Sequence, residues 1–207
     1  MFHGGSGLDE HARDRARRVA ALGYVALAAD LYGNSVQGNR ERIMGAIQRF
    51  QSDPAYLRSR AKAGLARLAA HPLVDQRLAT VGYCLGGLTA LELARSGAAL
   101  AAAVSIHGSL HSKEPAEPGA IVAKLLVCHG ALDPHVPMTQ VQGFIEEMTR
   151  AGADWQLHVY GGAMHGFTHD PSGPSHPGVA YHAAADARSS AALSAMLAEA
   201  FTFPLLT

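Results

Sequence analysis

The stretch Thr80-Val81-Gly82-Tyr83-Cys84-Leu85-Gly86-Gly87 restricts the fold of this chain more than any other. The apolar run from Leu78 to Tyr83 reads as a short buried strand. It breaks at Cys84, and the residues from Leu85 to Arg95 continue at once with the apolar spacing of a helix. A strand that passes straight into a helix forces the turn residue into a strained backbone state and lifts its side chain to the top of the sheet. Glycines two before and two after, Gly82 and Gly86, let strand and helix approach without a Cβ clash. Gly-x-Cys-x-Gly is thus the pattern of a nucleophile displayed at an elbow, with Cys where Ser is usual. The helix N-terminus just beyond favours negative charge, which lowers the pKa of a thiol placed there. A buried cysteine in a glycine-bearing strand end would give the same short pattern, so the rest of the chain has to decide.

Apolar runs and amphipathic segments alternate around this point. Asp9 is a plausible cap for a helix from Glu10 to about Leu22, with Ala12, Ala16, Val19 and Ala20 inside and arginines outside. Asp14 and Arg18 stand four apart as a stabilising pair, and Gly23 closes the helix. Tyr24 to Ala29 reads as a continuous strand buried on both faces. Helices are expected over about 40–51 and 54–70, the second opened by Asp53-Pro54. Strands follow at 101–106, 123–128 and 155–160, with a helix from Pro137-Met138 to Arg150 and a closing helix from Tyr181 to Phe201. The alternation predicts an α/β fold, a mostly parallel sheet with helices on both faces, in one domain over residues 1–207.

Composition narrows the function. The formal net charge is zero, so nothing favours nucleic acid or an acidic membrane surface as a partner. The two cysteines, Cys84 and Cys128, lie far apart and read as reduced thiols, not a disulfide framework. With no signal peptide and no apolar run long enough to span a bilayer, a soluble cytoplasmic protein is expected.

In such a sheet, chemistry gathers beyond the carboxyl ends of the strands. Asp133 follows the strand ending at Cys128, within His129-Gly130-Ala131-Leu132-Asp133-Pro134-His135-Val136-Pro137. His165 follows the last strand, within Gly161-Gly162-Ala163-Met164-His165-Gly166-Phe167. A Cys84 thiolate could attack a carbonyl, with His165 moving the proton and Asp133 holding the imidazole. The oxyanion needs two backbone donors, expected from the N–H groups of Leu85 and Gly5. Asp133 before proline could also be a simple turn aspartate. Among twelve histidines, His107, His129 and His135 also lie near strand ends and compete with His165. Cys128 reads as an inert core thiol. No Cys-x-x-Cys spacing suggests a metal, and no cofactor is implied.

With these residues in place, the chain resembles the dienelactone hydrolase family, a cysteine-dependent branch of the α/β hydrolases. The resemblance runs through Ala20-x-x-Gly23-Tyr24-Val25-Ala26-Leu27-Ala28-x-Asp30-Leu31-Tyr32-Gly33, the elbow, the Asp133 segment and Tyr160 to Phe167. It implies the α/β-hydrolase fold, Cys84, Asp133 and His165 as a triad, and hydrolysis of small carboxylic esters or lactones without a cofactor. The chain departs from the family in three places. The family's strands before the first glycine loop are absent, so the chain start is truncated or a partner covers the sheet edge, and a homodimer would not surprise. Gly4 stands where the family's enzymes often carry a glutamate tied to thiol activation. Thr168-His169-Asp170 stands where dienelactone enzymes place a carboxylate-binding arginine; Arg40, Arg42, Arg58 and Arg60 are substitutes or ordinary solvated charges. A catalytically impaired protein that binds a ligand or partner through the same pocket is the competing reading, and a peroxide-sensing thiol a weaker one.

Overall fold

The structure, a computed structural model, describes residues 1–33, 36, 38–169, 172 and 176–202. Strands β1 (Ala79–Tyr83), β2 (Ala102–Ile106), β3 (Lys124–Gly130) and β4 (Trp155–Tyr160) lie side by side in chain order, all parallel. The helices are α1 (Glu10–Ala21), α2 (Arg40–Ser52), α3 (Pro54–Ala69), α4 (Leu85–Arg95), α5 (Met138–Ala151) and α6 (Ala183–Thr202). Asp9, Asn39 and Asp53 cap the first three through their side chains, the last with Pro54 behind it.

Side chains alternate across the sheet with the two-residue period of strands. Ala103, Leu125 and Val127 pack with Leu57 of α3, Leu91 of α4 and Phe144 and Met148 of α5. Val104, Ile106, Leu126 and Cys128 pack instead with Val19 of α1 and Leu193, Met196 and Leu197 of α6. Helices thus cover both faces, and β2 is buried throughout, as expected of a parallel sheet. Each fully buried Leu or Phe contributes about 1.5–3 kcal/mol, so these layers hold the strand ends in register.

Two expectations fail at the N-terminal side. Residues 24–29 form no strand buried on both faces; none of them is buried, and Val25 is 39% exposed. The segment is held on its inner side, through Met1 N to Leu27 O at 2.9 Å and Ala29 N to Met1 O at 3.0 Å. Phe2 bridges Ala29 on one side and Gly82 on the other. Its N–H donates to Val81 O at 2.8 Å, and the side chain is almost wholly buried. A continuous apolar run needs cover on both sides to be a central strand, and among the described residues nothing pairs with the outer edge of 24–29.

The second failure concerns α1. Ala20 is exposed, whereas Arg15, expected outside, is buried. Its guanidinium grips Asp186 of α6 with two hydrogen bonds, at 2.7 and 3.1 Å, and donates to Thr168 O at 2.7 Å. A partner distant in sequence turns a charged side chain inward. The Asp14–Arg18 pair forms on the surface as expected, at 2.7 Å.

Candidate active site

Cys84 sits between β1 and α4 with φ 53° and ψ −115°, a backbone state rare for a residue with a Cβ. The glycines around it are required by packing. A Cβ on Gly82 would fall onto the carbonyl of Gly86, and one on Gly86 onto the carbonyl of Phe2. Cys84 N donates to Ile106 O at 3.0 Å, which ties the turn to the end of β2.

The sulfur lies 3.1 Å from His165 Nε2, and His165 Nδ1 lies 2.7 Å from Asp133 Oδ2. Both carboxylate oxygens of Asp133 are engaged, because Oδ1 accepts from His135 N at 2.8 Å and Val136 N at 3.0 Å. The turn and the imidazole contact are therefore built from one side chain. His165 is held by a bridge to Val179 and by Ala180 N donating to His165 O. The backbone N–H groups of Gly5 and Leu85 both face the Cys84 sulfur.

Electrostatics favour an ion pair here. Burial opposes charge on the Cys84 thiol, but His165 and the two backbone N–H groups bring it below its usual value. Burial likewise opposes charge on His165, yet its bonds to Asp133 and Cys84 raise it to about 10. Asp133, despite burial, is held below the carboxylate range by His165 and the turn amides. The three groups thus stand in line, and their contacts favour the thiolate–imidazolium pair over the neutral one.

Two of the competing histidines, His107 and His135, flank His165. His107, at the end of β2 with φ 42°, is fully buried, contacts His165 edge-on and reaches Thr168 Oγ1 at 2.9 Å. Burial and the neighbouring imidazoles hold it well below its usual pKa. His129 is buried too, and His135 reaches Pro177 O at 3.1 Å while its ring stands edge-on to His165. Cys128 is fully buried under Tyr160, whose hydroxyl donates to it at 3.5 Å, and burial raises its thiol to about 11. Among the described residues, no three His, Cys, Asp or Glu side chains are grouped to hold a metal ion.

Gly4 lies against the cysteine, and a Cβ built there would stand 3.5 Å from Cys84 Cβ. Of the four arginines, Arg58 is only 16% exposed and pairs with Glu92 at 2.8 Å and Glu114 at 2.6 Å. Arg60 Nε donates to Leu31 O at 3.1 Å. Neither is a freely solvated charge. Asp170, in the stretch Thr168-His169-Asp170, lies outside the described residues. Sequence reasoning passed over His3, which is buried beside the glycine loop; its only signal was a histidine directly preceding that loop.

A parallel sheet between two helical layers, with a strained residue at a strand–helix turn, is the α/β-hydrolase fold. The chain belongs to the dienelactone hydrolase family, whose family model matches residues 1–201. A solved structure described as m3DLH is 44% identical, with 96% of this chain and 84% of that chain covered and a TM-score of 0.88. The dienelactone hydrolase-like promiscuous phosphotriesterase P91 from metagenomic libraries is 42% identical, with the same coverages and TM-score. Uncharacterized protein K02A2.1 of Caenorhabditis elegans is 39% identical over 151 residues, 70% of this chain and 94% of that protein. Family and structural neighbours together mark the chain as a hydrolase.

Proposed function

We propose that this protein hydrolyses small carboxylic esters or lactones through an acyl-cysteine intermediate. The observation that carries the reading is the unbroken contact from Cys84 Sγ through His165 to Asp133, at 3.1 and 2.7 Å, on a residue strained into display. The thiolate of Cys84 adds to the ester carbonyl carbon, and the electron pair moves onto oxygen. The N–H groups of Gly5 and Leu85 stabilise that oxyanion. Collapse expels the alkoxide, which takes the proton of His165 and leaves Cys84 as a thioester. Neutral His165 then removes a proton from water as the water adds to the thioester. The second tetrahedral species expels the thiolate, giving the acid and restoring the pair. Asp133 keeps the imidazole in the tautomer that presents Nε2 to sulfur.

One relative is described as a promiscuous phosphotriesterase, so an aryl phosphotriester belongs beside the ester as a second substrate class. Gly4 supports the other reading, a pocket that binds without turnover, because no side chain from that position helps activate the thiol. The deciding assay is hydrolysis of a short-chain aryl ester by the parent, Cys84→Ala and His165→Ala. Turnover should fall by about 10³-fold or more in each variant. Undiminished turnover in Cys84→Ala would refute the reading, and a folded parent without turnover would favour binding alone.

A further inference from the structure

His3 is 1% exposed, and both of its ring nitrogens have partners. Nε2 lies 3.0 Å from Leu31 N, and Nδ1 lies 2.7 Å from Gly4 O. A backbone N–H can only donate, so Nε2 must present its lone pair to Leu31. A carbonyl can only accept, so Nδ1 must carry the hydrogen. The two contacts fix one neutral tautomer. Burial favours the same state by lowering the pKa of His3, although Asp30 Oδ1 stands 3.6 Å from Nε2.

The carbonyl that His3 holds belongs to the Gly4–Gly5 peptide. The N–H of that same peptide faces the Cys84 sulfur. A peptide between two glycines is the easiest of all to flip, because neither flank has a side chain to resist rotation. Flipping would turn a carbonyl, in place of a donor, toward the developing oxyanion. Gly7 N also donates to Gly4 O, at 3.2 Å, but comes from the same glycine loop and moves with it. Tyr32 Oη donates to Gly5 O at 2.9 Å and holds the next peptide. His3 is the contact to Gly4 O that comes from the strand-like stub bound between Ala29 and Gly82.

We propose that His3 is a positioning residue of the oxyanion hole, its Nδ1–H fixing and polarising the Gly4–Gly5 peptide so that Gly5 N–H stays aimed at the reacting centre. Donation into a carbonyl strengthens the donor on the other side of the same amide. The inference rests on the proposed function, which makes Cys84 the nucleophile and Gly5 N–H an oxyanion donor.

Two substitutions divide the roles of the imidazole. In His3→Asn the side-chain amide reaches the Nδ1 position and can still donate to Gly4 O, while the bond from Leu31 is lost. In His3→Gln the amide reaches the Nε2 position and can still accept from Leu31, while Gly4 O loses its donor. Steady-state aryl-ester hydrolysis should show kcat about 10- to 100-fold lower in His3→Gln with little change in KM, and within about threefold of the parent in His3→Asn. Inhibition by an alkyl trifluoromethyl ketone, which adds to the thiolate and leaves an oxyanion in the hole, should weaken in His3→Gln alone. Alkylation of Cys84 by iodoacetamide forms no oxyanion; run at about pH 9.5, where the thiol ionises with or without the Gly5 N–H, it should stay within about threefold in both, which reports an intact fold and nucleophile. Equal losses in the two variants, or a better enzyme with Gln than with Asn, would overturn the inference. Turnover that persists in Cys84→Ala is a different failure, that of the proposed function, and removes the inference with it.

Discussion

Every residue of α4 is buried, from Leu85 to Arg95, whereas residues 24–30 include no buried position. Helix α4 packs on β1, whereas residues 24–30 lie beyond the Phe2 stub that bridges Ala29 and Gly82, and both stretches are largely apolar in sequence. Inside α4 even charges are buried, and each has a partner. Arg95 donates twice to Glu147, at 2.8 Å, and Glu92 is held by Arg58 and Arg95. At the edge, valine and leucine remain half-exposed beside a groove of about 310 Å³ lined by Tyr24, Val25, Leu27, Leu73 and Phe201. Burial is set by what the chain brings alongside a residue, and its own hydropathy comes second. Precision is therefore concentrated where neighbours close from all sides, and the cysteine stands at that closed end.

The sharpest way to break this contrast is to add one methyl group to each region. Gly82→Ala places a Cβ on the Gly86 carbonyl, backbone against backbone, so strand and helix must separate. We expect a loss of at least about 4 kcal/mol, visible as a collapsed urea midpoint or failure to fold. Gly23→Ala at the edge meets nothing within 4 Å and costs only the strain of its φ of 97°, about 1 kcal/mol. Equal unfolding midpoints for the two variants would mean that the elbow is no tighter than the edge.

A smaller effect separates the two thiols. Cys84 is depressed by His165 and the Gly5 and Leu85 amides, so its thiolate persists as pH falls from the usual thiol range until the lowered value is crossed. Iodoacetamide should label it at pH 7 about 10- to 30-fold faster than an ordinary thiol, which is only a few per cent ionised there. Cys128, buried and raised to about 11, should stay unlabelled until the protein unfolds. His165 is raised to about 10, so the imidazolium that protonates the leaving group is lost only above that pH, and ester turnover should fall there. A labelling rate at Cys84 that climbs through pH 8–9 like a free thiol would refute the ion pair.

The same contrast explains what the sequence could reveal. The elbow was legible because its causes are local: Gly82, Cys84 and Gly86 meet within five residues, and strand and helix adjoin without a loop. Element types followed from period and caps, with ends shifted by one or two residues. The expected acid and imidazole could be picked out by their places after strand ends, and the fold brings Asp133, His165 and Cys84 into contact. Arg15 was misread because Asp186 lies 171 residues away, and no local pattern announces such a partner. Tyr24 to Ala29 was misread because apolarity shows what could be buried, without showing what covers it. His3 was passed over because its meaning depends on which atoms of Gly4 and Leu31 it touches.

The edge offers the smallest effect and the finest test. Val25→Lys puts a charge on a side chain 39% exposed, and Leu73→Ser shortens one 75% exposed, so each should change stability by no more than about 0.5 kcal/mol. Leu91→Ala, at the heart of the closed region, should by contrast cost about 2–5 kcal/mol. Urea titrations of the three variants at several protein concentrations measure this directly. If Val25→Lys instead loses 2 kcal/mol or more, and the loss grows with protein concentration, the edge is covered in solution by a second copy. A lysine on an edge strand is a known barrier to strand pairing, so the same substitution would then yield a monomer by light scattering. An unchanged midpoint at every concentration would leave the edge open, with the Val25 side chain contributing nothing measurable to stability.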